Sequence, residues 1–239
     1  MKISFPATLA TIAGLTVGVV ATGADAAIVG DAFVITATNT NGTDTFVVPA
    51  SSLSWTGSSW LFETAGGWSQ GMSNGVTINS ISAEYVEDPM IFFNFGVSTG
   101  GVATNISVSS ATLVFPTLLN PTGYASSGMT LTDNNSGGGA SVGANLGGFS
   151  YNALYNGASL FAAQQGSFNV ATSNGTQTQN ANDLGIVVPG FVGSMQASWG
   201  FQVSADDSVG VTSTWVLVPT PGTLAMMGLG GFVIARRRR

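Results

Sequence analysis

Between residues 27 and 218 apolar and polar positions alternate with a period of two, in short runs divided by Gly, Asn and Ser. Period two is the signature of a strand with one buried face, because successive side chains point to opposite sides of a pleated backbone. In 90–98, Ile91, Phe93, Phe95 and Val97 share one face, and Phe92, Asn94, Gly96 and Ser98 the other. Ala197, Trp199, Phe201 and Val203 alternate with Ser198, Gly200, Gln202 and Ser204. Ile106 and Val108 open a run that changes phase to Ala111, Leu113 and Phe115, which predicts a β-bulge within one strand. Residues 33–38, 44–48, 60–63, 76–86, 129–132 and 209–218 complete the set of predicted strands. Asn41-Gly42, Asn74-Gly75 and Gly137-Gly138-Gly139 supply turns. The segment 170–184, with Asn174-Gly175 and a run of Gln, Asn and Thr, reads as an exposed loop. The whole predicts an all-β fold: an antiparallel β-sandwich, jelly-roll-like, with one wet and one buried face per sheet.

The two ends do not fit this pattern. Met1-Lys2 precedes an apolar stretch interrupted by Gly14 and Gly18, and Ala24-Asp25-Ala26 then fits the small-x-small rule. Residues 1–26 therefore read as a signal peptide cut after Ala26, with Ala27 opening the mature chain. At the other end Val218 leads into Pro219-Thr220-Pro221, which ends the last strand because proline lacks a donor and holds its predecessor extended. Gly222 to Ala235 carries no charge, and Arg236, Arg237, Arg238 and Arg239 close the chain. The arginines stay on the cytoplasmic side of a membrane that the apolar stretch enters. Those fourteen apolar residues reach about 21 Å as a helix, short of a ~30 Å hydrocarbon core. A short, Gly-interrupted span suits a temporary stop better than a permanent anchor.

This tail resembles the PEP-CTERM sorting signal, with Pro219-Thr220-Pro221 standing where the name-giving Pro-Glu-Pro would be. The resemblance covers 219–239 and implies a C-terminal hydrophobic sorting helix, transient insertion in an inner membrane and processing by an exosortase. It further implies a protein that ends at the cell surface or outside the cell, in a setting of exopolysaccharide and biofilm. The expected organisation is 1–26 signal peptide, 27–218 β-sandwich domain and 219–239 sorting segment.

Charge narrows what the domain can do. Lys2 and the four terminal arginines are all the basic residues there are, and histidine is absent. Residues 27–218 hold ten carboxylates against no cation: Asp31, Asp44, Glu63, Glu84, Glu87, Asp88, Asp133, Asp183, Asp206 and Asp207. Nucleic-acid binding and attraction to anionic lipid both need cations, and are excluded. Catalysis through Ser/His/Asp, Cys/His or Ser/Lys is excluded for want of the base or the thiol. Carboxylate pairs remain, as in glycoside hydrolysis, with Glu63, Glu84, Glu87 and Asp88 the candidates, but no cationic side chain stands by to hold a sugar. The expectation is a non-enzymatic protein without cofactor. For a hard cation such as Ca²⁺, weak candidates are Glu84, Glu87 and Asp88 at one strand end and Asp206 and Asp207 at another. Asp133-Asn134-Asn135-Ser136-Gly137 has the opening composition of a calcium loop without its spaced ligands. Trp55, Trp60 and Trp68 cluster early; exposed they could stack on sugars, buried they are core. The domain thus reads as surface or matrix structure, with a carbohydrate-binding or calcium-dependent adhesion module as the alternative and a carboxylate-pair polysaccharide hydrolase as the third.

Intact-mass analysis of the protein recovered from its host should give a chain that begins at Ala27 and ends near Pro219–Pro221. A recovered chain that still carries Arg236, Arg237, Arg238 and Arg239 would point to a permanent anchor instead.

Overall fold

A computed structural model describes residues 25–220. The expectations for Ala24, the signal-peptide stretch and the tail from Pro221 onward, including Gly222 and the four arginines, lie outside the described residues. Within them the chain forms sixteen strands, a 3₁₀ turn at Ala50–Ser52 and no α-helix. Among the described residues no helix is long and apolar enough to cross a membrane.

The strands are β1 (Ala27–Asn39), β2 (Gly42–Val48), β3 (Ser54–Trp55), β4 (Ser59–Glu63), β5 (Gln70–Gly71), β6 (Thr77–Val86), β7 (Met90–Ser98) and β8 (Thr104–Leu119). They continue as β9 (Thr122–Asp133), β10 (Ala140–Ala144), β11 (Tyr151–Tyr155), β12 (Ser159–Gln164), β13 (Phe168–Val170), β14 (Thr176–Val187), β15 (Phe191–Val203) and β16 (Asp207–Val218). One sheet runs β12-β11-β15-β8-β1-β2, with β10 and β13 attached beside β15; the other runs β14-β9-β16-β7-β6-β4-β3, with β5 on β6. The chain crosses repeatedly between the two, as from β7 to β8, β8 to β9 and β15 to β16. The result is an all-β antiparallel sandwich of two sheets.

The inward faces are those the alternation marks. Ile91, Phe93, Phe95 and Val97 of β7 and Trp199 and Phe201 of β15 are all buried in one core. Phe95 sets its ring edge-on to Trp199 at 6.4 Å and stacks on Phe201 at 6.3 Å. Phe161 of β12 stacks on Trp215 of β16 at 4.3 Å. Polar ends of these large side chains find partners across the core, as buried donors must. The Trp199 indole donates to Ser213 Oγ at 3.1 Å and that of Trp215 to the Leu154 carbonyl at 3.1 Å. Gln164 accepts from Ser127 Oγ (2.6 Å) and donates to the Ala125 carbonyl (3.2 Å) and to Asp183 Oδ2 (2.8 Å).

The phase change in β8 is a bulge. Between Met195↔Leu113 and Ser198↔Ser109 the register slips, so that two residues of β15 lie opposite three of β8. Ser110 and Ala111 are consequently both buried. β1 slips beside them, between Val29 and Phe33. Backbone groups that leave the ladder here are recovered by side chains. Tyr85, reaching over from β6, accepts from the Ala111 amide at 3.2 Å and donates to the Ala32 carbonyl. One buried phenol thus serves both irregularities, and its burial pushes the hydroxyl well above its ordinary pKa.

One predicted element is corrected. Residues 176–187 do not form a loop: they are β14, an edge strand paired with β9 from Thr176↔Thr132 to Val187↔Thr122. Residues 171–175 remain outside strands. β14 escapes a hydrophobic-pattern reading because its residues are exposed or at most half-buried. Its pairing rests on the backbone ladder and on polar pairs such as Thr130–Thr178 (2.9 Å) and Thr132–Thr176 (3.2 Å).

Tyr85→Phe keeps the ring and strands the Ala32 carbonyl and Ala111 amide without their partner. It should lower unfolding free energy by about 1–3 kcal/mol, the cost of an unsatisfied buried group, as read from urea denaturation at unchanged m-value. A loss below about 0.5 kcal/mol would mean that water replaces the phenol at both bulges.

Candidate functional site

The outer face of the second sheet carries a shallow, uncharged trough. Its floor comes from three adjacent central strands. Gly210 of β16 stands opposite Gly96 of β7 on one side and Thr130 of β9 on the other. One rung along, Thr212 stands opposite Asn94 and Gly128. β14 closes one flank, with Thr178 beside Thr130 and Asn180 beside Gly128. Two adjoining depressions result, of about 280 and 300 Å³, which share Gly128, Asn180 and Thr212. Ser126 and Asn182 extend the second one toward the next rung. The side chains that edge the trough are therefore amides and hydroxyls.

Glycine in a strand interior weakens the strand, and often marks a place where something approaches closely. None of these three glycines has the positive φ that would demand glycine for conformational reasons. A Cβ at Gly210 would meet no atom within 4 Å. At Gly128 it would meet the Asn180 amide oxygen at 2.9 Å, and at Gly96 the Ser80 hydroxyl at 3.3 Å. A side chain at 128 would thus push the flexible Asn180 amide aside and one at 96 would crowd the Ser80 hydroxyl, whereas Gly210 has no such neighbour.

The remaining candidates are scattered. Glu84 lies on the outer face of β6, opposite Leu61, while Glu63 is staggered from it opposite Ser82. Glu87 and Asp88 sit in the β6–β7 turn, where the Glu87 amide donates to the Ser58 carbonyl. Among the described residues no three acidic, His or Cys side chains gather as metal ligands. Trp55 is 48% exposed on edge strand β3, with its ring 4.6 Å from that of Trp60. Trp60 and Trp68 are half-buried and pack on the core, so no row of exposed tryptophans forms. At the ends, Ala26 is buried, Ala27 opens β1 and Val218 closes β16 exposed. Past Pro219, the Thr220 hydroxyl donates to the Leu119 carbonyl at 3.4 Å.

Asp206 and Asp207 part company: Asp206 is an exposed turn residue with φ +59°, whereas Asp207 is fully buried. Asp207 faces Asp133 across the β16–β9 ladder. The sequence shows both acids but not their pairing, because their contact depends on a register between strands 74 positions apart. The Asn134 amide (3.4 Å) and Asn135 Nδ2 (3.5 Å) donate to Asp207 Oδ1, and the Ser204 hydroxyl donates to Oδ2. Burial, with the Asp133 carboxyl adding to it, pushes the Asp207 carboxyl above the usual carboxylate range against these hydrogen bonds.

No family model and no curated protein matches the chain. Among solved structures it is similar to the carbohydrate-binding module TmCBM61 in complex with beta-1,4-galactotriose, at 12% identity over 64% of this chain and 88% of that one, TM-score 0.33. It is similar also to TmCBM27, a carbohydrate-binding module that recognises mannan, at 9% identity over 67% and 89%, TM-score 0.30. A third is the enzymatically active domain of bacteriophage CBA120 tailspike protein 4, at 16% identity over 76% of this chain and 23% of that one, TM-score 0.30. At such scores and identities these likenesses carry over neither fold nor function to this chain.

Proposed function

We propose that the chain is an exported, non-enzymatic surface module whose sandwich holds a neutral, hydroxyl-rich polysaccharide strand along the outer face of its second sheet. The observation that supports this reading is the trough itself: a glycine-floored surface edged by Asn94, Thr130, Thr178, Asn180 and Thr212. Amides and hydroxyls each donate and accept, which suits sugar hydroxyls. Each neutral hydrogen bond contributes about 0.5–1.5 kcal/mol net, so one trough binds weakly and a surface covered with copies binds well. Ten carboxylates and no cation between 27 and 218 turn away acidic polymers, and the uncharged lining of the trough suits a neutral one. The tail at 219–239 supports the second half of the proposal: release of the domain through an exosortase, which leaves it at the surface among exopolysaccharide.

Affinity electrophoresis of the full-length chain through gels cast with neutral glucan, mannan or galactan, and with alginate as the acidic control, tests the reading. At least one neutral polymer should retard the protein and alginate should not. Gly210→Thr should raise stability by a few tenths to about 1 kcal/mol, since glycine is a poor strand residue and the new side chain has room. The same substitution should weaken retention about tenfold or more. Asn94→Ala and Asn180→Ala should each weaken it about two- to tenfold, the worth of one hydrogen bond. Retention unchanged by Gly210→Thr but abolished by Trp55→Ala would move the site to the sheet edge.

A further inference from the structure

One end of the sandwich holds two carboxylates that no cationic side chain among the described residues neutralises. Asp133 ends β9 and Asp207 opens β16, directly opposite each other in the antiparallel ladder. They are 1% and 0% exposed, and so point to the same, inward side. Directly paired residues on one face bring their Cβ atoms to about 5 Å. Two buried like charges at that spacing are costly unless a proton or a cation intervenes. No side chain between 27 and 218 can supply the cation, because none is Lys, Arg or His.

The hydrogen bonds satisfy three of the four carboxyl oxygens and leave one bare. Asp133 Oδ1 accepts from the Asn135 amide at 2.9 Å, and both Asp207 oxygens accept from neutral donors. Asp133 Oδ2, by contrast, is buried and has no hydrogen-bond partner. A buried polar oxygen left bare is a group in need of a ligand. Further oxygens lie on the same two connections: the Ala205 carbonyl, which accepts from Asn135 Nδ2 at 3.5 Å, and the Ser204 hydroxyl on Asp207. With neither thiolate nor imidazole in the domain, the donor set is hard throughout, which selects Ca²⁺ over zinc or copper.

We propose that Asp133 Oδ2 and the Asp207 carboxylate bind one calcium ion, completed by main-chain oxygen and water. The ion would tie the β9–β10 loop to the β15–β16 turn and so clamp the two sheets at this end. The pair differs from the acidic clusters that the sequence alone singles out: it joins Asp207 to Asp133 and leaves out Glu84, Glu87, Asp88 and the exposed Asp206.

The test uses the full-length chain in mild detergent, stripped with EGTA and titrated calorimetrically with CaCl₂ at constant ionic strength. Expected are one Ca²⁺ per chain, a Kd below about 1 mM, and a Tm rise of roughly 5–10 °C at a hundred times Kd. Asp133→Asn and Asp207→Asn should each weaken binding at least about thirtyfold, whereas Glu84→Gln and Asp88→Asn should leave it unchanged. Should the Asn variants fail to fold, the wild-type calcium-specific Tm rise decides alone. No calcium heat or Tm rise in the wild type, or an Asp133→Asn variant that melts higher than the calcium-saturated wild type and binds calcium as before, would overturn the proposal.

Discussion

From Ala27 to Val218 this domain has no side chain that carries a positive charge. Ion pairs between side chains are therefore unavailable to it, and its polar interior must be satisfied by neutral groups. The core shows how. Indoles of Trp199 and Trp215, the phenol of Tyr85 and the amide of Gln164 cross from one sheet to the other and end on hydroxyls or carbonyls. Each is a large side chain that contributes apolar burial with its body and a hydrogen bond with its tip. The carboxylates mostly stay in water or take backbone amides: Asp44 accepts from Ser73 at 2.6 Å and Thr45 at 2.8 Å, which holds its carboxyl below the usual range. Asp133 and Asp207 also take backbone amides, but both are buried and Asp133 Oδ2 is left without a partner, which is what the proposed ion would supply.

The same constraint shapes the outer surface. A face without cations, and with few carboxylates on its central strands, offers a ligand hydrogen bonds rather than charge. Gly96, Gly128 and Gly210 lower the floor of that face at a cost in strand stability. At Gly128 a side chain would have to displace the Asn180 amide; at Gly210 the space above is open. A residue that weakens its strand and relieves no clash is most simply explained by what lies over it. Neutral polysaccharide fits both halves of the argument, being uncharged and rich in hydroxyls.

Much of the sandwich is legible in the sequence, and the reasons are physical. β7 alternates cleanly because one face is core and the other is water, so its alternation alone puts Asn94 and Gly96 on the outer face. The bulge in β8 shows itself as a phase change, since an extra residue turns every later side chain over. β14 is not legible: an edge strand exposed on both faces has no apolar stripe, and its Gln, Asn and Thr residues resemble those of a loop. With it goes the Thr178–Asn180 flank of the trough. The Asp133–Asp207 pair is hidden for another reason: pairing depends on register between distant strands, which local pattern does not encode.

Backbone amide NMR of the labelled protein during titration with a retained neutral oligosaccharide tests the central claim most directly. The trough reading requires the largest shift changes at Gly96, Gly128 and Gly210, and at the Asn94 and Asn180 side-chain amides, with β1 and β2 unmoved. Shifts confined to Trp55 and Trp60, or spread over the outer face of the first sheet, would contradict it.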